Sequence, residues 1–230
     1  MTRETGIIEQ TAAVIPAYNA AHHLDAVISG VAKYIALSRI IVVDDGSSDD
    51  TYRVASEREV IAVSHGENRG KGAALTTGIL RAGDMGCVYA ITLDADEQHR
   101  PDEIPAFIDR WVETGADLIV GNRLHDTDNM PRLRLWTNRF TSAVVSMLAG
   151  AHVPDSQNGF RMISTELFRR LDVRSVRYEA ESEILIKAGR AGANITSVPI
   201  TTIYGEEVSA IHPLVDSYRF FRMVKKSFFW

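Results

Sequence analysis

Through the first half of the chain, short apolar runs alternate with amphipathic stretches. The runs Thr11–Ala17 (TAAVIPA), Arg39–Asp44 (RIIVVD), Val60–Val63, Cys87–Leu93 (CVYAITL) and Asp117–Gly121 (DLIVG) are rich in β-branched residues and predict strands. Ala20–Leu37, Asp49–Glu57, Gly70–Ala82 and Asp102–Thr114 predict helices between them. Strands separated by helices imply βαβ units and a mostly parallel sheet. RIIVV and DLIVG do not alternate with polar residues, as strands covered on both faces require. The second half predicts a helix over Leu133–Ala151, a strand at Phe160–Ser164, a helix at Ser182–Ala191 and a strand at Ile195–Ile200. From Ser217 to Trp230 basic and aromatic residues interleave. The expectation is an α/β fold: one domain over residues 1–216, whose second half completes the site, then a basic, aromatic tail over 217–230.

Composition narrows the function. In 230 residues there are 25 Lys+Arg against 30 Asp+Glu, a net charge of −5. Nucleic-acid binders normally carry a basic footprint, so no nucleic-acid partner is expected. One cysteine, Cys87, excludes an internal disulfide and fits a reducing compartment. The first residues lack the apolar core of a signal peptide, and no run reaches the ~20 apolar residues of a membrane span. A cytoplasmic protein is expected, at most peripheral at the inner face of a membrane.

In parallel α/β sheets, ligands bind beyond the carboxyl ends of the strands. Polar residues gather at just those places: Tyr18-Asn19, Asp44-Asp45-Gly46-Ser47, Asn68-Arg69-Gly70-Lys71-Gly72, Asp94-Ala95-Asp96-Glu97-Gln98 and Asn122-Arg123. Asp94, Asp96 and Glu97 leave an apolar strand within four residues and would repel one another unless a cation intervened. Carboxylate and amide oxygens suit Mg²⁺ or Mn²⁺, with substrate phosphates completing the shell. The plain alternative is a solvated acidic turn that caps the helix near Pro101. Asp44 or Asp45 would accept hydrogen bonds from a base N–H or a ribose hydroxyl, whereas Ser47–Asp49 need be no more than helix caps. Asn68–Gly72 reads as a helix start that attracts anions, with Arg69 and Lys71 adding charge.

These motifs, followed by Asp155-Ser156-Gln157-Asn158-Gly159-Phe160-Arg161, occur in an order that resembles the family-2 inverting glycosyltransferases, and within them the polyprenol-phosphate (dolichol-phosphate) mannosyl- and glucosyltransferases. The resemblance covers about Ala13 to Pro213. It implies a GT-A (Rossmann-like) fold, a GDP- or UDP-hexose donor, Mg²⁺ or Mn²⁺, and a polyprenyl phosphate acceptor. By matched motif, Pro16, Ala17 and Tyr18 flank the nucleotide, Asp44 or Asp45 meets base or ribose, and Lys71 lies near the donor. Asp94, Asp96 and Gln98 match the metal-binding segment, Asp96 and Gln98 being the expected direct ligands. Arg123 and Arg134 fall where that branch grips the acceptor phosphate. The segment Ile203–Pro213 lacks the Arg and the Gly-x-Ser-Lys-like turn often found there.

The acceptor decides what must activate it. A phosphate monoester is already largely ionised at neutral pH and needs only positioning. A sugar hydroxyl needs a general base, for which Asp155 is the candidate; the same residue could instead brace the turn at Asn158-Gly159. Transfer to a soluble or protein hydroxyl, a non-catalytic nucleotide-sugar binder and a nucleotidyltransferase are the competing functions. In the helix Leu133–Ala151, Ser142, Val145, Leu148 and Ala149 share a face that is either core or an interfacial surface, with Arg132, Arg134 and Arg139 near headgroups. The 217–230 segment reads as a membrane-surface, domain-packing or oligomer contact. Trp111 and Trp136 read as packing residues, Cys87 as a small buried hydrophobe, and Glu179, Glu181 and Glu183 as a solvated helix start or, alternatively, as residues facing the acceptor groove.

Overall fold

The computed structural model describes residues 3–125, 130–201 and 213–230. The segment Ile203–His212, with its missing Arg and Lys, lies outside the described residues. Seven strands form one sheet: β1 (Thr11–Ala17), β2 (Ile40–Asp44), β3 (Ile61–Ser64), β4 (Tyr89–Thr92), β5 (Leu118–Asn122), β6 (Arg161–Ser164) and β7 (Ile195–Pro199), in the order β3-β2-β1-β4-β6-β5-β7. All pair in parallel except β6, which runs antiparallel between β4 and β5. Six strands therefore point their carboxyl ends at one edge. The chain enters β6 from that edge, so β6 must run the other way.

The helices are α1 (Arg3–Ile8), α2 (Ala21–Val31), α3 (Thr51–Ser56), α4 (Lys71–Asp84), α5 (Ile104–Thr114), α6 (Arg132–Ala149), α7 (Thr165–Arg170), α8 (Glu179–Arg190) and α9 (Pro213–Ser227). Two cores cover the sheet. Ala13, Ile15, Val42, Ile91 and Ile119 meet Leu24, Ile28, Ile104 and Phe107 of α2 and α5 on one face. Ala12, Val14, Ile41, Val43, Ala90 and Val120 meet Ala74, Ile79, Val145, Leu148, Leu167, Leu185 and Met223 of α4 and α6–α9 on the other. The period-two geometry of a strand sends neighbours to opposite faces, and both faces are dry, which is why the strands read as unbroken apolar runs. Each fully buried Ile or Leu contributes about 1.5–3 kcal/mol.

Several details depart from the sequence reading. Short helices α1 and α7 have no clear periodicity; α7 starts because the Ser164 hydroxyl accepts the Leu167 N–H at 3.2 Å. Helix α8 begins at Glu179, earlier than expected, and the residues from Ser217 onward form the greater part of α9, whose Phe220 and Met223 are buried. Along α6, Ser142, Val145, Leu148 and Ala149 face the core, while Trp136, expected to pack, is exposed.

Glu181 and Glu183 are not a solvated helix start: both are buried in α8. Glu183 accepts the N–H groups of Arg174 (3.0 Å) and Ser175 (2.7 Å) and pairs with Lys187 at 2.6 Å. Burial alone would raise its carboxyl, but these partners outweigh burial and hold it below its ordinary 4.5. A depressed carboxylate stabilises the fold above its unfolded pKa and loses that contribution as pH falls through the folded one. Glu183→Gln should therefore lower the urea-unfolding free energy at pH 7 by about 1–3 kcal/mol. The gap to the parent should close as pH drops below 4.5. A gap that stays constant with pH would contradict this assignment.

Candidate active site

The carboxyl edge of the sheet gathers the expected residues, but it uses them unequally. Pro16 and Ala17 end β1 and are buried, Ala17 opposite Asp44 in the β1–β2 register, and Tyr18 beyond them is exposed. Asp44 is buried; its Oδ1 accepts the Ser47 N–H at 3.1 Å and its Oδ2 the Ser64 hydroxyl at 3.2 Å. Asp45 is turned wholly inward. It accepts the N–H groups of Arg69 (3.0 Å) and Gly70 (2.7 Å) and holds His65 Nδ1 at 2.7 Å. His65 Nε2 in turn meets the Thr77 hydroxyl at 2.9 Å. The anion cradled by the loop before α4 is therefore Asp45 itself, whose carboxylate is engaged within the chain.

With that loop fixed, Lys71 begins α4 and its Nζ lies 2.7 Å from Asp94 Oδ1 and 3.0 Å from Glu181 Oε1. Asp94 follows β4 and Glu181 comes from α8, so one ammonium joins three segments. Burial would lower the Lys71 pKa, but the two carboxylates outweigh it and raise the pKa. Burial likewise opposes ionisation of Asp94, yet Lys71 holds that carboxyl at about 2. Gly159 makes the close approach possible: a Cβ there would stand 3.0 Å from Lys71 Nζ and 3.1 Å from Asp94 Oδ1. The sequence does not separate Glu181 from Glu179 and Glu183, because its partner Lys71 is remote along the chain.

Asp96 is half-buried and accepts the Gln98 N–H at 3.0 Å. Burial, then the charge of Asp94, raises its carboxyl above the usual carboxylate value. The turn is held from both sides. Glu97 sits at φ 60° and meets His23 Nδ1 at 2.8 Å. His99 Nδ1 accepts the Asp94 N–H at 3.0 Å, which leaves the proton on Nε2, and its ring lies on Phe160 at 5.4 Å. Among the described residues no three His, Cys, Asp or Glu side chains converge tightly enough to hold a metal unaided. Asp94, Asp96 and Gln98 nevertheless offer the oxygen set of a hard divalent cation that shares its shell with a ligand. A cation there would relieve the repulsion that raises Asp96, so the residues fit the group.

The third cluster lies on the loop before β6. Arg123 follows β5 and donates from Nε to Asp155 Oδ2 (2.7 Å) and from Nη2 to Oδ1 (2.9 Å), and its backbone N–H adds a third bond at 3.2 Å. Both groups are buried. Of the two roles open to Asp155, the structure supports the brace: with both oxygens taken, its carboxylate is not placed as a general base. Asn158 donates to the Gly121 carbonyl at 2.6 Å. Arg161 donates to the carbonyls of Ser156 (2.9 Å), Asn158 (2.7 Å) and Glu181 (2.7 Å), tying the loop to α8. Arg134 stands exposed on the first turn of α6.

Breaking a buried charge pair from one side leaves an uncompensated charge. Asp155→Ala should cost about 3–5 kcal/mol in urea unfolding. An unchanged midpoint would return Asp155 to the role of a free base.

Comparison with known proteins places this edge in context. Residues 12–172 match the model of "Glycosyl transferase family 2". The UDP-N-acetylglucosamine–dolichyl-phosphate N-acetylglucosaminyltransferase of Methanococcus voltae is 36% identical over 215 residues, covering 84% of this chain and 85% of that protein. The polyprenol monophosphomannose synthase of Mycolicibacterium smegmatis is 29% identical over 205 residues, covering 84% and 77%. Glucosyl-3-phosphoglycerate synthase from Mycobacterium tuberculosis, solved with Mn²⁺, UDP and glucosyl-3-phosphoglycerate, superposes with a TM-score of 0.71 at 20% identity over 99% of this chain and 83% of that one, a likeness of fold. With the family match spanning most of the chain and the sheet that of a GT-A enzyme, this chain belongs to glycosyl transferase family 2 and is a glycosyltransferase.

Proposed function

We propose that this glycosyltransferase moves a hexose from a nucleoside-diphosphate donor to a polyprenyl phosphate, with Mg²⁺ or Mn²⁺. The observation that carries the reading is the cluster at the exit of β4, where Asp94 and Glu181 engage Lys71 and the half-buried Asp96 stands beside Asp94 without a basic side chain paired to it among the described residues. Two neighbouring carboxylates at a half-buried edge, one of them unpaired, suit a further cation. Asp96, Gln98 and Asp94 are the residues that would hold it. When bound, the ion supplies charge neutralisation to the donor diphosphate. Of the two nucleotides, the UDP-sugar in the name of the M. voltae relative favours uridine, and its dolichyl phosphate favours a lipid phosphate acceptor.

The protein's own part in the reaction follows from charge and position. Pro16, Ala17 and Tyr18 form the wall against which the nucleotide lies, with Asp44 below them. Lys71 Nζ, already poised at the edge, faces the negative charge that develops on the departing diphosphate as the anomeric C–O bond breaks. The acceptor phosphate oxygen forms the new bond from the opposite side in a single displacement, which inverts the anomeric centre and needs no enzyme nucleophile. An ionised phosphate needs no base, which agrees with an Asp155 committed to Arg123. Arg123 and Arg134 are the residues that would hold that phosphate. No helix among the described residues is long and apolar enough to cross a membrane, so this reading has the headgroup met at the surface.

Labelled UDP-hexose or GDP-hexose, polyprenyl phosphate in detergent and Mn²⁺ should give a solvent-extractable glycolipid. Asp96→Asn should reduce turnover at least about 100-fold at an unchanged melting temperature, as should excess EDTA with the parent. Full activity in EDTA, or label passing only to soluble hydroxyl acceptors, would contradict the reading.

A further inference from the structure

His65 is a buried histidine that the reaction described above does not use. It directly follows β3, its side chain is 5% exposed, and its backbone N–H donates to the Asp44 carbonyl at 3.0 Å. The two ring nitrogens face different elements. Nδ1 lies 2.7 Å from Asp45 Oδ1, just beyond β2, and Nε2 lies 2.9 Å from the Thr77 hydroxyl of α4. Asp45 already accepts the N–H groups of Arg69 and Gly70, so its carboxylate is the acceptor and Nδ1 carries the proton. In the neutral ring Nε2 then accepts the Thr77 hydroxyl proton.

Thr77 and Lys71 lie on the same helix, six residues and about 9 Å apart along its axis. Asp45 holds the two residues that immediately precede Lys71. The imidazole therefore grips α4 in two places: at its entry through Asp45, and in its second turn through Thr77. The loop has little room to settle elsewhere. Gly70 sits at φ 104°, and a Cβ there would collide with the Val176 carbonyl oxygen, which accepts the Ala73 N–H at 3.0 Å. Leucine at position 65 would fill similar space, but it could not join a carboxylate on one side to a hydroxyl on the other. We propose that His65 is a positioning residue for sugar transfer: by setting Asp45 against Thr77 it fixes the entry of α4 and aims Lys71 Nζ at the departing diphosphate. The proposal rests on the role given to Lys71 above and assigns His65 no contact with either substrate. A misaimed Lys71 fails most when charge develops on the leaving group, so the loss falls on kcat rather than on donor KM.

Steady-state kinetics on the full chain, well below the melting temperature of each variant, test this. His65→Leu should lower kcat at least about tenfold with donor KM within about twofold of the parent. His65→Asn, whose amide can replace Nδ1 as donor to Asp45, should recover part of that loss. In a Lys71→Gln background, His65→Leu should cost less than about twofold more, because the two residues act along one path. Nitrogen-15 NMR of the parent, with the His65 signal assigned by its loss in His65→Asn, should show Nδ1 protonated; this reading needs no leucine variant to fold. A kcat for His65→Leu equal to the parent's, a change in donor KM alone, an Asn variant no better than the Leu variant, the full loss repeated on top of Lys71→Gln, or a bare Nδ1 would each overturn the proposal. Parent protein that passes sugar to water or a soluble hydroxyl but not to polyprenyl phosphate defeats the acceptor reading and leaves this comparison standing, since the diphosphate departs in every case. Normal transfer to polyprenyl phosphate by both parent and His65→Leu keeps the function and removes the inference.

Discussion

Lys71 Nζ, held between Asp94 and Glu181, is the contact on which the carboxyl edge of the sheet depends. Neither Lys71 nor Asp94 would be tolerated there alone, since burial penalises both charges. Together with Glu181 they join the start of α4, the exit of β4 and the first turn of α8. The backbone passes beside them only at Gly159, where any side chain would press on both Lys71 and Asp94. Arg161 then fastens the Gly159 loop to the Glu181 carbonyl, so the carboxylate and the loop are placed by one network. Asp96 stands beside this network, and burial, then the charge of Asp94, raises its carboxyl above the usual value.

The same economy of charge explains why neighbouring residues differ in use. Asp45 spends its carboxylate on the loop that delivers Lys71, and Asp155 spends its own on Arg123. Both are internal anions that shape a basic or amide-lined segment. Asp96, which among the described residues accepts a hydrogen bond from Gln98 alone, is the carboxylate left for other chemistry.

The strands were legible because burial on both faces leaves continuous apolar runs, and TAAVIPA and DLIVG mark β1 and β5 within a residue or two. The direction of β6 was not, because RMIS carries no polarity of its own and the loop from Asp155 to Phe160 sets it. Asp44 and Asp45 are adjacent and alike in sequence; only the fold shows that both are buried and that the second holds the loop before α4. Glu181 and Glu183 resembled a solvated helix start because their partners, Lys71 and the Arg174–Ser175 backbone, are brought to them by packing. Helix α6 has apolar residues on two faces, and periodicity alone could not choose which one met the core.

Diffraction from crystals soaked with manganese and a nucleoside diphosphate measures the central claim most directly. An anomalous peak within bonding distance of Asp96, touching the diphosphate and lying beside the Lys71–Asp94 pair, is the expected result. A nucleotide bound at the strand ends with manganese elsewhere, or with Asp96 turned away from it, would contradict the account.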